Sequence, residues 1–239
     1  MHTEMFKALE WDSSFFGFNV VRVDANIDNE NDWELLCSQL LANDIKLAYY
    51  TSEQLLSCGE NTSYKAYLAD RKLTFYKKAN ANAGVPDTHI QPYTAPEPTG
   101  ELIRLAIESG VYSRFNIDKH FEPGKFESLY ELWIRKSVDK SIAREVLVYN
   151  VNQQIAGFVT LGEKQGRGDI GIIAVDENFR GQGIGRKLML AAEDWFLKNN
   201  FSELQVVTQG DNAPACRLYE SCGYERESML YFYHLWQSL

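Results

Sequence analysis

One segment, Ile172–Phe196 (IIAVDENFRGQGIGRKLMLAAEDWF), limits what this 239-residue chain can fold into more than any other. The unbroken apolar run Asp169–Val175 reads as a buried strand. It passes through a short turn into Arg180-Gly181-Gln182-Gly183-Ile184-Gly185 and then directly into a helix predicted over Gln182–Lys198. Glycines admit positive φ and let a ligand come close to the backbone. A row of N–H groups at a helix N-terminus, reinforced by the helix dipole, attracts an anion, and a pyrophosphate fits that geometry. A chain built around such a strand–turn–helix unit belongs to the α/β or α+β classes.

The remaining sequence supplies further strands and helices. Met5–Glu10, Phe18–Ala25, Lys46–Thr51 and Tyr67–Lys77 read as strands, and Asp32–Leu41 has helical spacing with Trp33, Leu36, Leu40 and Leu41 on one face. Composition then shifts. Ala79–Pro98 holds Pro86, Pro92, Pro96 and Pro98, four of the six prolines, so it reads as a linker. The domain boundary is placed inside it, giving domains over residues 1–85 and 86–239. In the second, helices are predicted over Thr99–Glu108, capped by Thr99, and over Gly124–Lys136, with the loop-like Val111–Phe121 between them. Arg144–Asn150 and Gln154–Gly162 form a hairpin around Asn152. Glu203–Thr208 is a strand, Ala213–Ser221 a helix and Met229–Trp236 a last strand.

Charge and cysteine usage remove several function classes. With 24 basic and 33 acidic residues the chain carries a net charge of −9, which argues against a general nucleic-acid binder. Cys37, Cys58, Cys216 and Cys222 form no CxxC pair and are expected to be reduced and mostly buried. His2, His89, His120 and His234 show no metal-ligand spacing, so no metal is expected. The N-terminal residues lack signal-peptide character and no apolar run reaches the ~20 residues of a membrane span. A cytoplasmic protein with no membrane partner is the expectation.

Several phosphate-binding turns share the glycine physics. A P-loop needs Gly-Lys-Ser/Thr, whereas Gly185 is followed by Arg186 and Lys187. A dinucleotide fingerprint needs a third glycine where Arg186 stands. Arg180, Gly183 and Gly185, preceded by Ala174-Val175-Asp176, instead match the Arg/Gln-x-x-Gly-x-Gly/Ala turn of the GNAT N-acetyltransferases. Asn212–Tyr224 (NAPACRLYESCGY) resembles a second segment of that family. The resemblance implies a GNAT fold: a mixed, mostly antiparallel sheet flanked by helices, with a truncated GNAT-like domain over residues 1–85 before a complete one. It implies acetyl-CoA as cosubstrate. Backbone donors of Ile173, Ala174 and Val175 would meet the thioester oxygen. The N–H groups of Arg180, Gly181, Gln182, Gly183, Ile184 and Gly185 would take the pyrophosphate. Asn212 would bond the pantetheine arm or act only as a helix cap, with Arg217 and Leu218 beside the cofactor. Tyr219, two helical turns after Asn212, would be catalytic by donating its hydroxyl to the leaving sulfur. No motif selects a general base among Asp70, Glu163 and Asp169. With no G-x-S-x-G elbow, a covalent acyl-enzyme is not expected.

Two further stretches narrow the acceptor. Leu9–Gly17 (LEWDSSFFG) and Ser113-Arg114-Phe115, followed by Phe126, Tyr130 and Trp133, resemble the TDP-fucosamine acetyltransferase branch of the family. That resemblance implies a nucleotide-sugar substrate, a TDP-linked 4-amino-4,6-dideoxy sugar acetylated on its 4-amine for cell-surface polysaccharide synthesis. Arg114 suits a diphosphate, because its planar fork matches phosphate oxygens. Ser113, Phe115 and Phe16 are the other candidate acceptor contacts, and core packing explains Phe15 or Phe16 as well. Two other readings stay open: a GNAT acting on an antibiotic, polyamine or protein amine, and a CoA-binding sensor or scaffold without turnover. The sequence leaves homodimerisation open.

Overall fold

The structure, a computed structural model, describes residues 5–58, 63–80 and 87–238. The chain divides into two compact units, Met1–Lys72 with Met229–Leu239, and Leu73–Ser228.

The first unit contains β1 (Phe6–Ala8), α1 (Glu10–Phe16), β2 (Val20–Val23), α2 (Glu30–Ala42), β3 (Leu47–Ser52), the start of β4 (Tyr64–Lys78) and the end of β10 (Glu225–Gln237). Its strands lie in the order β1-β2-β3-β10-β4. β2 and β3 run parallel, and β1/β2 and β3/β10 run antiparallel. Asn29 caps α2 by accepting the Asp32 N–H. The helix lays Trp33, Leu36, Cys37 and Leu40 on Val21, Ala48, Tyr50, Tyr64 and Leu235, a closed apolar core. Sequence periodicity predicts a strand through Glu10. The chain instead turns helical there and stops at Gly17, whose φ of 83° is the left-handed conformation that ends helices.

The second unit holds β5 (Ile90–Pro92), α3 (Gly100–Ser109), α4 (Arg114–Ile117), α5 (Lys125–Val138), β6 (Glu145–Val151), β7 (Gln154–Lys164), β8 (Arg167–Val175), α6 (Ile184–Lys198), β9 (Glu203–Gln209) and α7 (Ala213–Ser221). Its strands lie in the order β4-β9-β8-β7-β6-β5, with β8/β9 parallel and β5/β6, β6/β7 and β7/β8 antiparallel. The sheet is mixed and mostly antiparallel, as expected. Helices cover both faces, so its strands are apolar on both sides. Val146 and Val148 face Leu102, Leu105 and Ile134 of α3 and α5. Leu147 and Tyr149, one residue out of phase, join the core beneath α6 and α7. The β6–β7 turn puts Asn152 and Gln153 at φ 49° and 69°, as a tight hairpin requires.

The boundary read from composition, at 85/86, lies outside the described residues, and the division between units is a different one. It falls inside β4, at Lys72/Leu73, and the last strand returns to the first unit. A strand that serves two cores carries no compositional break, so no sequence signal marked it. The proline-rich stretch holds an element of its own, β5, paired with β6 at the end of the strand order. Pro92 is tolerated because an edge strand does not need its missing N–H. The loop-like stretch before α5 contains the single helical turn α4, capped by Ser113. Among the described residues, no helix is long and apolar enough to cross a membrane.

Candidate active site

The site begins where two parallel strands part. β8 and β9 pair through Gly168↔Leu204, Asp169↔Gln205 and Ile170↔Val206, and no pairing follows. The cause is visible on the other side of β8. Between Val159 and Leu161 the β7/β8 register slips, so Gly171 and Ile172 together oppose Thr160. Such a bulge bends a strand and increases its twist. The buried Thr160 hydroxyl accepts the Ile172 N–H at 2.9 Å, replacing the lost ladder bond. A Cβ at position 171 would lie 2.8 Å from that hydroxyl, so this position is closed to a side chain.

The bulge also fixes which amides face the gap. The Ile172 N–H points to β7, and so does the Asp176 N–H, which bonds the Ala156 carbonyl at 2.9 Å. Backbone direction alternates along a strand. The N–H groups of Ile173 and Val175 therefore point away from β7, toward the gap. The gap opens into a cavity of ≈ 460 Å³ bounded by Gly171–Val175 of β8, Val207–Gln209 of β9 and residues of α7.

At one end the chain leaves β8 through a 3₁₀ turn (Glu177–Phe179) that Asp176 caps, and enters α6. Gly181 and Gly183 have φ of 78° and 76°. Gly183 caps α6 without a side chain, so the helix's first N–H groups keep their bonding capacity for a ligand. Gly185 serves helix packing instead. A Cβ there would press Leu218 Cδ2 at 3.2 Å, so its absence lets α7 seat against α6. Arg180 borders the cavity, and its Nε donates to the Val175 carbonyl at 3.1 Å.

Asn212 caps α7, its side chain accepting the Ala215 N–H at 3.2 Å, and also lines the cavity. Tyr219 lines it from two turns further on, 3 % exposed, with Phe75 and Tyr224 packed against its ring. Burial pushes the Tyr219 phenol up from its ordinary pKa, so it stays an O–H donor.

Of the residues expected at a cofactor site, Ile173, Ala174, Val175, Arg180, Asn212, Leu218 and Tyr219 border one cavity. Gly181, Gln182, Gly183, Ile184 and Gly185 form the adjoining turn, where the Ile184 side chain is buried in the core. Arg217 is exposed on α7 and off the cavity wall. The acceptor candidates are more scattered. Ser113 is buried as the α4 cap, and Phe115 packs on Phe121 and Trp133. The Arg114 guanidinium lies 4.1 Å over the Phe115 ring. None of these three borders the cavity. Phe16 is buried in the first unit against Phe15 and Phe18. Of the carboxylates considered as bases, Glu163 pairs with Arg144, and Asp169 accepts from Gln205 Nε2 at 2.8 Å. Neither borders the cavity, nor does Asp70 of β4.

On the opposite wall, Tyr130 and Trp133 stood in the stretch that narrows the acceptor, whereas sequence reasoning missed Glu108 and Tyr112. The end of α3 and the turn after it contribute Glu108 and Tyr112, and α5 contributes Tyr130 and Trp133. Tyr130 can reach this position because residue 110 is glycine: a Cβ there would sit 2.3 Å from Tyr130 Cζ. Glu108 is tied at 2.7 Å to Arg104, one turn earlier, which also bonds Asp176. The i,i+4 spacing of Arg104 and Glu108 was the signal that could have found Glu108. Among the described residues, no group of three or more His, Cys, Asp or Glu is placed to hold a metal ion.

Comparisons with known proteins speak to the family and the fold. Residues 112–224 match the acetyltransferase (GNAT) family. The chain is 25% identical over 143 residues to the spore coat polysaccharide biosynthesis protein SpsD of Bacillus subtilis (strain 168), covering 59% of this chain and 49% of that protein. It is 36% identical over 69 residues to N-alpha-acetyltransferase 30 of Saccharomyces cerevisiae, covering 29% of this chain and 39% of that protein. The chain thus spans less than half the length of these curated relatives. The fold is similar to that of the GCN5-related N-acetyltransferase from Sphaerobacter thermophilus, with a TM-score of 0.58 and 15% identity over 96% of this chain and 75% of that one. The match to the acetyltransferase (GNAT) family, over residues 112–224, falls within the second unit.

Proposed function

We propose that the protein is an acetyl-CoA-dependent N-acetyltransferase that acetylates the 4-amine of a TDP-linked 4-amino-4,6-dideoxy sugar in a ternary complex. The observation carrying the acetyl-transfer reading is the gap between β8 and β9, which aims the Ile173 and Val175 N–H groups into a cavity that Tyr219 also borders. The cavity residues fit acetyl-CoA: a glycine turn at a helix N-terminus for the pyrophosphate and open strand edges for an extended amide-bearing arm. GNAT acetyltransferases use acetyl-CoA as cosubstrate.

Each residue then has a role. The Ile173 and Val175 amides donate to the thioester oxygen as it gains negative charge. Preorganised donors of this kind are worth about 3 kcal/mol each. Asn212 holds the approach to α7. Tyr219 donates its hydroxyl to the departing sulfur. Its raised pKa makes complete proton transfer uphill, so hydrogen-bond donation is the stabilising act. Arg114, which is off the cavity wall, is proposed to meet the acceptor's diphosphate only where that group extends beyond the cavity. The similarity to SpsD, whose name places it in spore coat polysaccharide biosynthesis, supports a sugar amine.

The similarity to N-alpha-acetyltransferase 30 favours a second reading, a protein amine. The deciding experiment measures thiol release from acetyl-CoA with TDP-4-amino-4,6-dideoxygalactose, its glucose epimer, spermidine and a short peptide with a free N-terminus. Rapid release with one TDP sugar alone is the expected result. Release with the peptide alone moves the acceptor to a protein amine. CoA binding without release from any acceptor removes the enzymatic reading.

A further inference from the structure

The cavity wall opposite the parted strands carries chemistry of its own. Glu108 is the carboxylate on the cavity wall, and the aromatic residues around it are Tyr112, Tyr130 and Trp133. Tyr130 and Trp133 meet at 4.9 Å between ring centroids, in tilted contact. The Arg104 guanidinium donates from Nη1 to Glu108 Oε1 at 2.7 Å and from Nη2 to the buried Asp176 just past β8. Glu108 is therefore held at a fixed place by a cation itself anchored to the end of the strand that lines the gap. Among the described residues its Oε2 takes no hydrogen bond and remains available to a donor. A carboxylate in an aromatic-walled cavity suits a cationic amine borne on a ring whose C–H face stacks.

We propose that Glu108 is the acceptor-binding base of the transfer, and that Tyr130 and Trp133 form the stacking wall for a ring-borne primary ammonium. The proposal rests on the acetyl-transfer reading. The ammonium gives one proton to the Glu108 carboxylate. The freed nitrogen lone pair forms the C–N bond to the acetyl carbon, and the C–S bond breaks with its electron pair on sulfur. The second nitrogen proton passes to sulfur, which leaves as the thiol, while Glu108 returns its proton to solvent. The charged and titratable groups around Glu108 are Arg104 on its own helix, Asp176 beyond β8, Tyr112 on the next turn, Tyr130 on α5, and Arg180 and Tyr219 on the cavity wall.

The test uses the full-length protein, acetyl-CoA and TDP-4-amino-4,6-dideoxygalactose, with spermidine as a ring-free amine. At pH 7, Glu108→Gln is expected to lower kcat/KM for the sugar by about 10²-fold, with the acetyl-CoA KM moving less than about twofold. Without the base the variant relies on amine already neutral in solution, so the defect should shrink below about tenfold by pH 9.5. Glu108→Asp, which keeps the charge, should recover part of the rate. If Glu108→Gln matches the parent, or loses the same factor at every pH, Glu108 is structural and the proposal falls while acetyl transfer stands. A parent protein that releases no thiol with either amine overturns both. Should Glu108→Gln fail to bind acetyl-CoA, Glu108→Asp and the parent pH profile decide: a parent rate that does not fall toward acid pH overturns the proposal.

Discussion

Tyr219 and Thr160 show two ways in which one hydroxyl can decide what the site does. In the proposed mechanism Tyr219 acts on the reaction. Tyr219→Phe keeps the ring packed against Phe75 and removes the donor to sulfur. The expected result is a kcat lowered by about 10²-fold with an unchanged acetyl-CoA KM, read by steady-state kinetics. Thr160 acts on the architecture. Thr160→Val leaves the Ile172 N–H facing a methyl group instead of an acceptor at 2.9 Å. Such a loss costs about 1–3 kcal/mol, which urea unfolding of the variant should show, with weaker acetyl-CoA binding alongside. These two residues differ in legibility. Tyr219 was named by its place in a segment that resembles the GNAT family, and the structure puts it on the cavity wall. Thr160 matters because a register slip brings Gly171 against it, and nothing in the sequence of β7 announces a slip in β8.

At the level of elements, most strands and helices follow from local pattern. Thr99 caps α3 as its sequence suggests, its hydroxyl accepting the Leu102 N–H, and α7 has the bounds that its capping Asn212 implies. What local pattern misses is short or sits at an edge: α1, α4 and β5 gain their stability from neighbours. The joint between α3 and β8 is of the same kind. Arg104 holds the Asp176 carboxyl below the usual carboxylate range, helped by the Asn178 N–H. The folded pKa lies below the unfolded one. The stabilisation is therefore complete above about pH 4 and is lost as pH falls through the folded value. Melting temperatures measured from neutral to acid pH should fall less steeply for Asp176→Asn than for the parent. The seat of Tyr130 is a second tertiary feature. Gly110→Ala has an ordinary φ to adopt but no room beside the ring. Its expected effect is a raised acceptor KM at near-normal acetyl-CoA KM, because the displaced wall belongs to the acceptor.

For the whole molecule, two units with separate cores divide the chain at a different place from the boundary read from composition. A linker rich in proline looks like a junction, yet contact density changes within β4, where the sequence simply continues a strand. The thiols report on both cores at once. Cys37 belongs to the first and Cys216 and Cys222 to the second, all buried, while Cys58 is half-buried. Native protein should therefore titrate one thiol rapidly with a disulfide reagent and four after denaturation. Faster reaction of two or more would mean that a core opens readily.

The parted strands also make a statement about time. An amide that faces an open gap exchanges its hydrogen with solvent, although it lies in the middle of a sheet. Ile173 and Val175 should thus be islands of rapid deuterium uptake among the slow neighbours Ile172, Ala174 and Asp176. Those islands should vanish when a thioester fills the gap, so the exchange clock of two amides would count bound molecules directly.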